Sequence, residues 1–284
     1  MTEFPKRLLV AIVLIPLVVG VVYAGGPALV TLLSLASGLA AWEFFRLAEA
    51  RGARPLNAIG IMLSALVPMV VHARFLGFWV PPVSVVALAV PLLLSAVLFQ
   101  RGVAGGPLAS IGATLTGVLY TGGMLSFAYA LRYHDYIVDA RGGTALVLLP
   151  VVVTWLNDTG GYLAGRAFGR RKLMPTVSPA KTWAGAYGGV VASVLTTWAI
   201  AAFVLPSVAH VTLRPLGIFV IGVVLSAAAQ VGDLAESMFK REAGVKDSSQ
   251  LIPGHGGVLD RVDSLLFTLP VGYVLLGSFL VYRP

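Results

Sequence analysis

The acidic residues of this chain stand where an apolar sequence can least accommodate them. Asn157 and Asp158 interrupt the run TWLNDTGGYLAG, and a carboxylate at such depth is costly unless it is paired or bound to a metal. The bland alternative is a polar hydrogen bond between two helices. Asp233, Glu236 and Lys240 recur at helical spacing and share one face. Asp260 and Asp263 lie three apart at the start of the last apolar run, so they too are expected on one helix face. The PGHGG between the two groups predicts a tight loop, with Gly256 and Gly257 permitting close backbone approach to a ligand. Carboxylates at two helix ends, joined by such a loop, suit a hard cation such as Mg²⁺ that leaves positions for water and phosphate oxygens. Lys240, Arg241, Lys246 and Arg261 supply countercharge for a polyphosphate. His255 either contacts a phosphate or shapes the turn. A solvated loop would explain these charges, but not the glycines or the carboxylates at an apolar edge.

A second basic stretch precedes a serine-proline pair. Ser178 reads as a helix N-cap and Pro179 as its first residue, beside Lys181 and Thr182. Free N–H groups of that turn, following Arg166, Arg170, Arg171 and Lys172, would make an anion site. Gly161, Gly165 and Gly169 read as close helix packing. Glu43 and Arg46 read most simply as an intrahelical pair, with a lipid-headgroup contact as the alternative.

The elements that must position these groups are membrane helices. The chain is 58% hydrophobic and 11% charged, with a mean hydropathy of +0.90. Too little charge is present to solvate a globule, so lipid must cover it. We read an all-α polytopic membrane protein of about nine spans: Leu8–Tyr23, Ala28–Leu47, Leu56–Val71, Phe78–Phe99, Leu108–Leu131, Ala145–Leu163, Gly185–Leu205, Leu216–Gln230 and Leu265–Tyr282. With a cytoplasmic N-terminus, 15 of the 20 Lys and Arg fall on the cytoplasmic side. That bias accounts for the net charge of +8 without nucleic acid as a partner. Lys6 and Arg7 before an apolar run also resemble a signal peptide, but a retained first span completes the asymmetry. Two long cytoplasmic loops, Gly165–Ala184 and Glu236–Arg261, are expected to hold the chemistry. Residues 1–143 then form a scaffold of about five spans, and residues 144–284 a catalytic region. Cysteine is absent, which excludes thiolate metal sites and a cysteine nucleophile.

The pattern Ser237-x-Phe239-Lys240-Arg241, Lys246-Asp247, then Ile252-Pro253-x-His255-Gly256-Gly257-Val258-x-Asp260-Arg261-Val262-Asp263 resembles the signature of the phosphatidate cytidylyltransferases. Asn157-Asp158 through Ser178-Pro179-x-Lys181-Thr182 is also similar to that family, as is Trp42-Glu43-Phe44-Phe45. The serine-proline loop departs from the family pattern at Ala180 and Ala184. The resemblance implies an integral protein of the cytoplasmic membrane converting CTP and phosphatidic acid to CDP-diacylglycerol and pyrophosphate at its cytoplasmic face. It implies Mg²⁺ held by Asp233, Asp260 and Asp263, with room for a monovalent second cation such as K⁺. Those three acids, with Lys240 and Arg261, are the expected catalytic group. Asn157, Asp158, Arg166, Lys172, Ser178, Lys181, Thr182, Ser237, Arg241, Lys246, His255, Gly256 and Gly257 are the expected substrate contacts. Membrane lipids surround the chain, and a homodimer is compatible with the family.

Three rivals make different demands. A CTP-dependent polyprenol kinase would move the γ-phosphate to a hydroxyl. A transporter would show internal repeats. A CDP-alcohol phosphotransferase would carry a DG-x-x-AR motif, which is missing, as are the P-loop and H-E-x-x-H patterns.

Overall fold

The computed structural model describes residues 3–78, 80–137, 139–252, 254 and 256–282, with side chains in the first helix described from Ile12 onward. Its long elements are α1 (Glu3–Ala24), α2 (Gly26–Glu49), α3 (Asn57–Phe75), α4 (Val83–Arg101), α5 (Pro107–Arg132) and α6 (Ala140–Phe168). A hairpin of β1 (Lys172–Met174) and β2 (Ser178–Thr182) follows, then α7 (Trp183–Val208), β3 (Val211–Leu213) and α8 (Pro215–Glu242). The chain closes with α9 (Leu259–Val262), α10 (Leu265–Phe279) and β4 (Leu280–Tyr282), which pairs antiparallel with β3. Each expected span overlaps a helix, although the fourth helix starts only at Val83 and the last gives way to β4 at Leu280. Among the described residues, eight helices are long and apolar enough to cross a bilayer, and α1 adds the shorter apolar stretch Ile12–Ala24. The chain is an integral membrane protein.

Hydroxyls four residues beyond two of the helix prolines bond back to the proline carbonyls. Ser95 Oγ donates to the Pro91 carbonyl at 2.9 Å, and Thr154 Oγ1 to that of Pro150 at 2.8 Å. Leu119–Gly123 and Ile200–Val204 widen locally into π-turns.

Two compact units divide the chain. The first comprises Met1–Leu14, Gly26–Tyr129 and Phe239–Arg261. Phe45, 1% exposed, fills its interior against Gly60 and Gly117, where an added Cβ would stand 2.5 and 2.2 Å from the ring. Leu56, Leu93 and Val97 form a further apolar cluster. The second unit comprises Ile15–Gly25, Ala130–Met238 and Val262–Pro284. Its α6 and α7 meet through small residues: a Cβ on Gly188 would lie 2.3 Å from the Ala164 Cβ and 2.8 Å from the Gly160 carbonyl oxygen. Of the expected glycines, Gly161 and Gly165 pack closely against Gly185, while Gly169 lies just past the end of α6 against Thr182.

The expected loops are shorter than the polarity of their sequences suggests. Helix α6 continues five residues past Leu163 to Phe168, and α8 continues past Gln230 to Glu242. Charged residues are tolerated in these last turns because a helix end outside lipid needs no apolar surface, so hydropathy marks the buried part of a span rather than its helical limit.

Candidate functional site

In the second unit, α6, the β1–β2 hairpin, α7 and α8 enclose a cavity of about 570 Å³. Asn157, Asp158 and Arg166 reach it from α6, Lys172 from β1, Lys181 and Thr182 from β2, and Gln230 and Asp233 from α8. Gly161, Gly165 and Gly185 complete the wall, so the helix crossing that brings the backbones together also leaves the space.

The serine-proline pair is not a helix start. Ser178 and Pro179 lie on β2, and Thr182 is the N-cap of α7, with its Oγ1 accepting from Gly185 N at 3.1 Å. Thr182 has the extended backbone an N-cap requires and stands three residues before that amide. Proline is tolerated on this hairpin because an edge strand need not donate at every position. The consequence is positional: the strand, rather than a helical turn, delivers Lys181 and Thr182 to the cavity.

Lys181 Nζ lies 2.7 Å from Asp233 Oδ2, with the two side chains 24% and 34% exposed. Ser237 Oγ donates to Asp233 Oδ1 at 3.2 Å from one turn further along α8. Asn157 is 2% exposed and anchors a polar network. Its Oδ1 accepts from Ser226 Oγ at 2.6 Å, Ser193 Oγ at 3.4 Å and Gln230 Nε2 at 3.5 Å. Its Nδ2 then donates to Asp158 Oδ1 at 3.2 Å. The oxygen is thereby committed and the amide group is aimed at Asp158. Gln230, which sequence reasoning treated only as the end of a span, belongs to this network. Arg166 Nη1 donates to the Tyr162 hydroxyl at 3.3 Å, and Arg171 lies over the Trp183 ring.

The rest of the expected site is in the first unit, apart from Asp263. Lys240 Nζ is 2.7 Å from Asp260 Oδ1, here with side chains only 13% and 5% exposed. Asp260 Oδ2 accepts from Ser248 N at 2.9 Å, Ser248 Oγ at 2.8 Å and Gly257 N at 2.8 Å. Arg241 Nη1 donates to the Val245 carbonyl at 3.1 Å, closing the end of α8. Lys246 and Arg261 are exposed. Gly256 has φ of +79°, and Ile252 N donates to its carbonyl, folding the loop back on itself. His255 lies outside the described residues.

Two expectations require correction. Within the last span, Leu259–Phe279, Asp260 and Asp263 are not on one continuous helix face: α9 ends at Val262, and Asp263 occupies the turn before α10. Asp263 Oδ1 accepts from Ser264 N at 2.6 Å, a local bond that competes with the helical ladder. Glu43 is not paired with Arg46. Its carboxylate is 0% exposed and accepts from Ser248 Oγ, Ser249 Oγ, Val258 N and Leu259 N, at 3.0, 2.6, 3.0 and 2.6 Å. The Arg46 guanidinium instead sits over the Trp42 ring at 4.9 Å. A local spacing rule cannot detect partners 205 to 216 residues away. The signal that could have found Glu43 was an unexplained carboxylate in an apolar helix.

Among the described residues, no group of three His, Asp or Glu side chains is disposed to hold a metal ion. Asp233 offers the donor chemistry that a hard cation takes, whereas both oxygens of Asp260 are already engaged, by Lys240 and by the loop. In the cavity, Asp233 has Asp158 beside it as a second oxygen donor.

The sequence profile of the cytidylyltransferase family matches residues 5–279. A phosphatidate cytidylyltransferase of Haemophilus influenzae is 46% identical over 144 residues, covering 49% of this chain and 48% of that protein. One of Staphylococcus epidermidis is 42% identical over 154 residues, 54% of this chain and 57% of the relative. One of Pseudomonas aeruginosa is 44% identical over 133 residues, 47% and 48% of the two chains. The chain thus spans about half the length of the curated relatives it matches.

Proposed function

The chain belongs to the cytidylyltransferase family, and from that membership we propose that it transfers the cytidylyl group of CTP to phosphatidic acid, releasing pyrophosphate. The observation that carries this reading is the cavity, where carboxylates and cations meet at the end of otherwise apolar helices. Asp158 and the Lys181–Asp233 pair share with Arg166 and Lys172 the lining of a space of about 570 Å³. Its lining residues all fall within 144–284, the proposed catalytic region.

In the proposed reaction, a phosphate oxygen of phosphatidic acid attacks the α-phosphorus of CTP. The new P–O bond forms as the α–β phosphoanhydride bond breaks, and pyrophosphate leaves with its electron pair. No protein nucleophile is needed; position and charge neutralisation lower the barrier. Lys181, Arg166 and Lys172 hold phosphate oxygens, and Asn157 fixes the orientation of Asp158. Asp233 keeps Lys181 in place until a phosphate competes for it. In the first unit Lys240 is held by Asp260, and the exposed Arg261 is proposed as a phosphate-binding cation of that unit. Mg²⁺ is the proposed metal, on the donor chemistry of Asp233 with Asp158 in the cavity, and K⁺ is the proposed second cation. When bound, such a cation neutralises phosphate charge and templates the two substrates.

An anionic lipid and a soluble nucleotide can meet only where helices leave the bilayer. The asymmetry of basic residues supports a cytoplasmic exit in the cytoplasmic membrane. A second copy of the chain is proposed as partner, to be tested by light scattering in detergent.

The test is incubation of purified protein with phosphatidic acid, Mg²⁺ and CTP labelled at the α- or γ-phosphate. The expected result is α label in the lipid, γ label in pyrophosphate, and loss of both in Asp233→Asn. Gamma label in the lipid would make the protein a lipid kinase, and no transfer of either label would overturn the reading.

A further inference from the structure

Glu43 has no part in the reaction as proposed, yet it is among the most completely engaged side chains in the first unit. A carboxylate offers about four lone-pair sites. At Glu43, Oε1 accepts from Ser249 Oγ and Val258 N, and Oε2 from Ser248 Oγ and Leu259 N, two donors on each oxygen. The donors come in two groups. Ser248 and Ser249 open the segment that contains the PGHGG motif, and Val258 and Leu259 close it. One buried side chain therefore ties both ends of a twelve-residue loop, as the neck of an Ω-loop is tied.

The same neck reaches Asp260. Ser248 Oγ lies 3.0 Å from Glu43 Oε2 and 2.8 Å from Asp260 Oδ2, and its single proton serves one carboxylate at a time. Ser248 N and Gly257 N, one from each end of the loop, also donate to Asp260 Oδ2. This places Oδ1 toward Lys240. A Cβ at Gly257 would lie 2.5 Å from both Glu43 oxygens, so glycine is required for the approach.

We propose that Glu43 is a positioning residue: it clamps the Ser248–Leu259 loop and, through Ser248 and Gly257, sets the orientation of Asp260. The proposal rests on the cytidylyl-transfer reading for its effect on rate, but not for the clamp itself. Glu43→Gln is the discriminating variant, because an amide accepts on one side only and turns its own N–H₂ toward two of the four donors. Steady-state kinetics per folded enzyme, with CTP and phosphatidic acid, would be combined with amide hydrogen exchange on the full chain in nanodiscs. The expected result is a fall in kcat of about 100-fold, the scale of a small misplacement in a site, with KM for CTP changed less than about threefold. Exchange at Val258 and Leu259 should rise, with α6 and α7 unchanged. Glu43→Ala should do the same, and Ser248→Ala, which removes only the shared hydroxyl, should cost less. Loosened exchange with kcat retained would overturn the positioning role; exchange rising throughout the protein would make Glu43 merely structural. Wild-type protein that transfers no label would remove the reaction reading, while the exchange data would still decide the clamp.

Discussion

The Lys181–Asp233 and Lys240–Asp260 pairs have the same 2.7 Å separation and different surroundings. Around Asp233 the side chains are a quarter to a third exposed and look into a cavity bordered by further cations. Around Asp260 they are almost fully buried, and three donors from the loop converge on the second carboxylate oxygen. A partly solvated ion pair contributes little to stability and can exchange its partner for a ligand. A buried pair contributes to shape, and removing one member leaves a charge stranded. The same two residue types thus serve reception in one unit and anchoring in the other.

Neutralising the two lysines should separate the roles. Lys240→Met should destabilise the protein by about 3 kcal/mol, read from unfolding in mixed micelles, because Asp260 would lose its cation while buried. Lys181→Met should stay within about 1 kcal/mol of the parent in the same measurement. Its cost should appear instead as a fall of about 10²-fold in cytidylyl transfer, typical of losing one preorganised charge contact. If Lys181→Met unfolds as readily as Lys240→Met, the contrast between the regions is lost.

A smaller effect probes the anchored loop by overpacking. Gly257→Ala forces a methyl against the Glu43 carboxylate, which three hydrogen bonds and a shared serine proton hold in place, and should cost about 2 kcal/mol. Equal stability would mean that the neck is looser than its geometry. The smallest effect is expected at the receiving end: Thr182→Val removes the N-cap of α7 and should cost about 1 kcal/mol, checked by the same unfolding assay. A loss as large as that of Gly257→Ala would show that the β2–α7 corner is itself an anchor.

The legibility of the two regions from sequence differs for a physical reason. Helical spans follow from composition; Asn157 and Asp158 stood out as polar residues in an apolar run, Asp233 by its helical spacing with Glu236 and Lys240, and Lys181 by its place beside Ser178-Pro179. The β1–β2 hairpin was hidden, since Ser178-Pro179 satisfies the sequence rule for a helix start equally well. Only the Thr182-to-Gly185 bond decides which residue caps the helix. Glu43 was given the wrong partner because its real ones lie far along the chain, Gln230 was missed because its bond to Asn157 spans 73 residues, and the turn at Asp263 because one local hydrogen bond outweighs spacing.

The absence of cysteine from these 284 residues makes the central claim directly measurable. Ala180 lines the cavity and is exposed, so a catalytically active Ala180→Cys variant carries a single reporter thiol there. Its rate of labelling by a membrane-impermeant maleimide would be followed with and without CTP and Mg²⁺. The account predicts that saturating CTP slows labelling at least about tenfold, the effect of holding the site more than nine-tenths occupied. Labelling unchanged at CTP concentrations that support turnover would contradict it, and would place the nucleotide outside the cavity.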